Sequence, residues 1–528
     1  MKKLLSLSLI LFFGLSAFSQ DNQAIIKNIE QYAKKVQQEW KIPGMAMAVM
    51  KDGQLIFAKG FGVKDASGAS GSVPNTVDEN TVFQIGSISK SFTAAIMATL
   101  VDEGKIKWDD TVKNILPDFK LYDKWVEANL QVKDIMTHHT GIQGQQGTYI
   151  PNLGYSRDDV YKMLVLLKPS YSFRGNYEYN NITFIIAAKI IEKLTGKSWE
   201  ENIQERIFDK VGMTNTSVNE EGFKNSKNVA TPHEFSYKKR YNKGIDNEIA
   251  MAADTTWADS LEVKPMYGDE QALKWLTVVG PAGAVNSTAA DMAKYAQFHL
   301  DNGMVNGKEI ITKKGMNYLH KGVTITSQDS ARTTLYAHCW FVEQNSRYRL
   351  YFHTGTTWGF TALCAFVPEQ NLAIVVLVNS EAPEGPRYSI MRRLIDLYKG
   401  YPDKDYSAAY LQDYLKSARE NTLKSEKKAK EVVKKEAPKY DPLVGTYDKD
   451  ALFGKAIITK EGEDLYITVG PKGWKHKMSH INGEDFTFRS DGFAFSVKFI
   501  FDKEGKTVES LDINFGEGEN FGAWKKTK

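Results

Sequence analysis

Gly86-Ser87-Ile88-Ser89-Lys90 limits the architectures open to this chain more than any other stretch, because a strand-like run, Thr81-Val82-Phe83-Gln84-Ile85, passes there directly into a helix-like one, Ser91 to Asp102. Residues three apart on a helix share a face, so the Lys90 amine can reach the Ser87 hydroxyl. The first backbone N–H groups of the helix then point at whatever that oxygen attacks. A nucleophile with a base beside it suits acyl transfer. Ser-x-x-Lys recurs at Ser236/Lys239 and Ser425/Lys428, but in charged, loop-like surroundings that fit a helix N-cap and a solvated lysine. Only Ser87 follows a glycine able to make a tight turn and precedes apolar residues, Phe92, Ile96 and Leu100, spaced to bury one helix face.

Other residues assemble around this turn in chain order. Tyr179-Asn180-Asn181 stands immediately before a helical pattern that Gly196 closes. A tyrosine hydroxyl near a lysine amine can shuttle the proton a serine must lose, and the Asn181 amide can hold the acyl side of a substrate. Taken alone, the tripeptide reads better as an N-cap asparagine beside a packed tyrosine. His353-Thr354-Gly355 follows an apolar strand and precedes Trp358-Gly359-Phe360. An edge strand with a small residue lets substrate backbone lie against it, and its N–H groups can serve an oxyanion. The same tripeptide at His139-Thr140-Gly141 ends a helical segment and reads as a turn.

In order and context these residues resemble the serine β-lactamase and penicillin-binding-protein superfamily, in its class C-like, D-aminopeptidase, DD-peptidase and esterase branch. The resemblance runs from Gln23 to Gly400 and includes Phe83 to Lys90, Asp134-Ile135-Met136-Thr137-His138, Tyr179-Asn180-Asn181, Pro281 to Ala284 with Ser287-Thr288-Ala289, and His353-Thr354-Gly355. It implies Ser87 as the acylated nucleophile, Lys90 and Tyr179 as its proton-transfer pair, and substrate contacts from Asn181, His353, Thr354 and Gly355. Backbone N–H groups of Ser87 and Thr356 would form the oxyanion hole. His353 departs from typical β-lactamases, which carry lysine there. A permanent cation for a substrate carboxylate is replaced by a group whose charge depends on pH near neutrality, which argues against efficient β-lactam hydrolysis.

The expected fold is α/β in the broad α+β sense: an antiparallel sheet flanked by helices, a mainly helical insertion, and a small C-terminal all-β barrel. A hairpin at Met45 to Met50 and Leu55 to Phe61 opens the sheet around Asp52-Gly53. Strands at Ala337 to Gln344, Tyr348 to Phe352, Phe360 to Val367 and Ala373 to Val378 complete it. Between Lys105 and about Leu319 the pattern is mainly helical, with Asn219 to Leu276 read as a variable loop at a cleft rim. The domain plan is a signal peptide over 1–19, a hydrolase domain over 20–400, a charged helical linker over 401–440 and a lipocalin-like barrel over 441–528 with six short strands. In relatives with such an appendage, it can project a loop over the cleft.

Lys2 and Lys3, the apolar Leu4 to Leu15 and the Ala17-Phe18-Ser19 cleavage pattern imply export, to a periplasm or beyond the cell. No later apolar run reaches membrane-spanning length. A net charge of +4 over 528 residues argues for no nucleic-acid partner. Nine histidines make no metal-ligand spacing, His476 and His480 included, so neither metal nor other cofactor is expected. Cys339 and Cys364 lie in apolar strand-like segments and read as packed thiols, with a disulfide permitted by the compartment. No Gly-x-Ser-x-Gly elbow occurs, which disfavours an α/β-hydrolase. The activity expected is an exported serine hydrolase cleaving a small amide or short peptide, D-amino-acid peptides foremost. An esterase or weak β-lactamase could use the same residues, and a penicillin-binding sensor that never turns over is the alternative from another class. Oligomeric state is left open.

Overall fold

The computed structural model describes residues 22–69, 71, 74–241, 257–516 and 519–527. The signal peptide expected over 1–19 lies outside these residues, as does part of the expected rim loop, 242–256.

One antiparallel sheet of eight strands organises the larger body. From one edge to the other it runs Thr324–Gln328, Arg332–Tyr336, Phe341–Asn345, Arg349–Thr357, Phe360–Val367, Leu372–Val378, Gly44–Lys51 and Gln54–Gly62. The chain therefore begins the sheet at one edge and returns after the helical insertion to finish it. Central strands are buried on both faces, so they read as unbroken apolar runs. On Gly44–Lys51, Met45, Met47 and Val49 face the helices over residues 22–39 and Gly385–Lys399. Ala46 and Ala48 face the other way, toward the cluster containing the helices Ser89–Asp102 and Ala289–Leu300. Small side chains on that face let the second helix layer approach closely.

The edge strand Thr324–Gln328 and its neighbour Arg332–Tyr336 were not expected, because their sequences are largely polar and half-exposed. The region read as a rim loop is more ordered than expected: it holds a helix, Asn219–Asn225, and a long hairpin pairing His233–Tyr241 with Trp257–Pro265. All nine of its residue pairs are joined, the pairs Phe235–Val263 and Tyr237–Leu261 give it one apolar face, and Phe235 packs against Tyr414; this short alternation lies between charged and polar residues and reads as loop from sequence. Helix Tyr406–Glu431 docks by its first turns, where Trp40 Nε1 donates to Ser407 Oγ at 3.1 Å, and its lysine-rich remainder is exposed.

The C-terminal unit is a closed antiparallel barrel of eight strands, from Gly445–Asp448 to Trp524–Lys526, two more than expected. Trp474–Asn482 was missed because lysine and histidine interrupt its alternation. The barrel packs directly on the larger body. Asp491, at the tip between Asp485–Ser490 and Phe493–Phe501, accepts from Trp275 N at 2.7 Å, while its carbonyl accepts from Asn152 Nδ2 at 2.7 Å. Phe493 stacks on Tyr149 with ring centroids 3.7 Å apart, and the Glu519 carboxylate accepts from Gly147 N at 3.0 Å. Cys339 and Cys364 are buried and unpaired. Among the described residues no helix is long and apolar enough to cross a membrane, and no cluster of three or more metal-ligating side chains occurs.

Candidate active site

Local sequence explains how Ser87 is held. Phe83–Gln84 pairs with Val285–Ser287, Gly86 turns the chain at φ +52°, and a single 3-10 turn, Gly86–Ile88, feeds the helix Ser89–Asp102. That helix is buried from Ser89 to Leu100 and is therefore a central strut rather than an amphipathic surface helix. Apart from Lys90, buried polar side chains of this helix fix its position. Ser89 Oγ donates to Gly86 O at 2.7 Å and accepts from Val285 N at 3.0 Å, and Thr93 Oγ1 donates to Pro281 O at 2.7 Å. These bonds bring the Pro281-Ala282-Gly283 segment against the start of the helix.

Lys90 is fully buried beside Ser87, and burial pushes its amine down to about 7. Nζ lies 3.2 Å from Ser87 Oγ, 2.7 Å from Asn181 Oδ1 and 3.1 Å from Ala282 O. The last two oxygens can only accept. A neutral Lys90 amine therefore gives its two protons to Asn181 and Ala282, leaving its lone pair directed at the Ser87 hydroxyl. The amine also lies 4.5 Å from the Tyr179 ring centroid, and the Tyr179 hydroxyl is close enough to Ser87 for the serine to lower its proton affinity slightly against the effect of burial. Burial raises the Tyr179 hydroxyl well above its ordinary value, so tyrosine stays protonated while lysine is poised to accept.

The strand Arg349–Thr357 closes the other side. Its first half pairs with Phe341–Asn345 from Arg349 to Phe352, and beyond that point its edge is open toward the serine turn. Gly355 and Gly86 face each other across this gap: a Cβ on Gly355 would sit 3.0 Å from Ser87 N, and one on Gly86 would sit 2.7 Å from Thr356 N. The backbone nitrogens of Ser87 and Thr356 thus flank one small space beside Ser87 Oγ. Ser87 is partly exposed and Thr356 is exposed, so this side opens to solvent. Thr354 lies on the same open stretch and is half-buried.

The structure thus brings Ser87, Lys90, Tyr179 and Asn181 together and lays Thr354, Gly355 and Thr356 alongside. Asn181 differs in its immediate partner, since its side-chain oxygen holds Lys90. His353 requires a correction. It is buried, donates from Nδ1 to Thr354 O at 2.6 Å and accepts at Nε2 from the Tyr336 hydroxyl at 3.2 Å. Burial first, then the nearby Lys90, pushes it down to about 3, so it is a neutral imidazole with a fixed tautomer and not a cation switching near neutrality. Its roof, Tyr336, comes from the strand next to the sheet edge, which the sequence pattern did not mark. Ala282 was recognised only as part of a motif. A backbone carbonyl leaves no signal of its own in a sequence.

A family model described as beta-lactamase matches residues 29–398. The chain belongs to the beta-lactamase family. Among curated family relatives, the unguisins hydrolase ungD' of Aspergillus campestris is 28% identical over 366 residues, covering 67% of this chain and 61% of that protein. The chain therefore spans less than two thirds of that relative's length. The octameric penicillin-binding protein homologue from Pyrococcus abyssi has the same fold at a TM-score of 0.57 and 20% identity, covering 93% of this chain and 98% of its own. SurE, solved with D-Leu, aligns at a TM-score of 0.52 and 14% identity over 96% of this chain and all of its own.

Proposed function

We propose that this chain is an exported serine hydrolase that cleaves a small amide or short peptide through an acyl-enzyme on Ser87, with D-amino-acid peptides as the first substrate class to test. The observation that carries this reading is the Lys90 amine, held at about 7 and 3.2 Å from Ser87 Oγ with both its other acceptors satisfied. Ser87 Oγ attacks the carbonyl as Lys90 takes its proton, and the oxyanion develops between Ser87 N and Thr356 N. Collapse expels the amine, which takes a proton relayed from Lys90 through the Tyr179 hydroxyl. Water then attacks the ester, giving its proton back to Lys90, and Ser87 is regenerated with release of the acid.

The substrate side rests on two supports. Neutral, buried His353 and the Thr354-Gly355-Thr356 stretch present no cation beside the serine, which favours a scissile bond without an adjacent free carboxylate. That favours aminopeptidase or amidase cleavage over DD-carboxypeptidase or β-lactamase cleavage. A relative named a hydrolase of unguisins and a structural neighbour solved with D-Leu make D-amino-acid amides a sensible first panel.

The test is intact-mass analysis of the full chain and its Ser87→Ala variant with a fluorophosphonate and a labelled penicillin, followed by D- and L-amino-acid amides and p-nitrophenyl esters. An adduct on Ser87 that forms and clears, with turnover of amides, supports the proposal. Turnover of esters alone moves the reading to an esterase, and a penicillin adduct that never clears moves it to a sensor. No Ser87-dependent adduct overturns it.

A further inference from the structure

His138 takes no part in the proton transfers above, yet it is bonded to the catalytic tripeptide on both sides of Tyr179. It follows the helix Val132–Met136 in a left-handed backbone conformation, φ 57°. That turn lets one residue present two acceptors to one passing strand of chain. The His138 carbonyl accepts from Glu178 N at 2.9 Å, and its ring Nδ1 accepts from Asn180 N at 3.1 Å. Between those two anchored amides stands Tyr179, whose ring lies against the imidazole with centroids 4.3 Å apart.

We infer that His138 is a positioning residue for Tyr179 and Asn181, setting the distance from the tyrosine hydroxyl and the asparagine oxygen to the Ser87–Lys90 pair. The inference rests on the Ser87 acyl-enzyme reading. Three further observations agree with it. His138 is fully buried, and burial together with the neighbouring Lys90 keeps its ring neutral, so it adds no charge to repel the lysine. Because Nδ1 must accept from Asn180, the ring proton sits on Nε2, which has no hydrogen-bond partner among the described residues. A buried donor left unpaired costs about 1–3 kcal/mol, and an apolar residue of the same shape would only move that cost to the Asn180 N–H that Nδ1 now holds. The left-handed backbone adds a further cost to any residue with a side chain. These costs fall at a residue that reaches the catalytic segment through its acceptors.

The Asn and Gln replacements separate this role from simple packing, because an Asn side-chain oxygen stands where Nδ1 stands and a Gln oxygen stands farther out. We expect His138→Asn to retain acylation of Ser87 by a fluorophosphonate within about 5-fold of the unmodified chain. His138→Gln, with the acceptor misplaced, should fall by about 10- to 100-fold in kcat with KM changed less than about 3-fold, as expected for a displaced catalytic group. In a Tyr179→Phe background, the difference between Asn and Gln should collapse to less than about 2-fold, since the group being positioned is gone. Equal rates for His138→Asn and His138→Gln in folded protein, or an undiminished difference in the Tyr179→Phe background, would overturn the inference. Failure of the unmodified chain to label at Ser87 would instead overturn the functional reading beneath it. Should His138→Gln not fold, the His138→Asn rate and its coupling to Tyr179→Phe still decide: a 10-fold or greater loss in His138→Asn counts against the inference.

Discussion

Gly355 lies so close to Ile85 that a methyl group on it would sit 1.8 Å from the Ile85 carbonyl oxygen. The strand and the serine turn are in backbone-to-backbone contact there, and Arg387 fixes the strand from behind. Its buried guanidinium donates to Gly355 O at 3.2 Å and to Ala362 O at 2.9 Å. Gly355→Ala must therefore push the Thr356 N–H away from Ser87. The expected outcome is a loss of about 100-fold or more in the Ser87 acylation rate, the size of effect that a displacement of about 1 Å can have. Overpacking should cost about 1–3 kcal/mol of stability, so the protein remains folded by circular dichroism. A wild-type acylation rate in folded Gly355→Ala protein would show that Thr356 does not serve the oxyanion.

In the proposed mechanism Lys90 sets the pH dependence. Below about 7 its ammonium cannot accept the Ser87 proton, and above it the neutral amine can. His353 is held at about 3 and His138 well below its usual range, while Tyr179 is raised, so none of these three titrates between pH 5 and 9. The acylation rate constant should climb with a slope of one through pH 7, with the rate at pH 5 about 100-fold below the plateau. Labelling by fluorophosphonate across that range measures it. A flat profile would remove Lys90 as the base.

The legible part of this protein is the part whose chemistry needs fixed residue types. Ser87, Lys90, Tyr179 and Asn181 could be placed in one site because each sits at a boundary that sequence marks: a glycine before a helix, or polar residues before an apolar period. The central strands were equally readable, since burial on both faces leaves unbroken apolar runs. What escaped was set by partners distant in the chain. Whether His353 is a surface cation or a buried neutral ring depends on Tyr336 above it and Lys90 beside it. The hairpin joining His233–Tyr241 to Trp257–Pro265 has only a short apolar face, whose packing partner Tyr414 is distant in the chain. Gly445–Asp448, the short first strand of the barrel, is too brief to show an alternation.

Asp491 ties the barrel to the hydrolase body at an electrostatic cost. Burial raises its carboxyl from an ordinary 3.8 to about 6 despite the hydrogen bonds from Trp275 N and Lys274 N. A folded-state value above the unfolded one means the protonated form is favoured by folding. Its contribution is therefore fully present below about 3.8 and is lost as pH rises through about 6. Asp491→Asn stays neutral throughout and keeps an acceptor for Trp275 N. The stability of Asp491→Asn relative to the unmodified chain should rise by about 3 kcal/mol between pH 3.5 and pH 7, because each pH unit separating the folded and unfolded carboxyl values is worth about 1.4 kcal/mol. Thermal melts of both proteins at the two pH values measure it. A difference independent of pH would mean that the Asp491 carboxyl titrates normally.

The barrel reaches the catalytic residues through one intermediary segment. Phe493 stacks on Tyr149, Ser490 Oγ donates to Asn152 O at 2.6 Å, and Glu519 holds Gly147 N. From the other end of that loop, Gln143 O and Gln146 O accept from Asn180 Nδ2 at 2.8 and 3.0 Å. Asn180 stands between Tyr179 and Asn181, so loosening the barrel contact should reach the proton-transfer pair. Gly492 also lies against Trp358, which follows the strand beside Ser87, so the barrel tip stands near the open side of the proposed site. Phe493→Ala, which removes the stack and leaves the catalytic residues untouched, should make residues 143–155 more susceptible to limited proteolysis. It should lower kcat by about 3- to 10-fold, the scale expected when a supporting contact rather than a reacting group is lost. If that tip limits access, the ratio of kcat/KM for a tripeptide amide to that for an amino-acid amide should increase in the same variant. Unchanged kcat with increased proteolysis would confine the barrel to limiting access, and an unchanged ratio with lowered kcat would confine it to holding the loop.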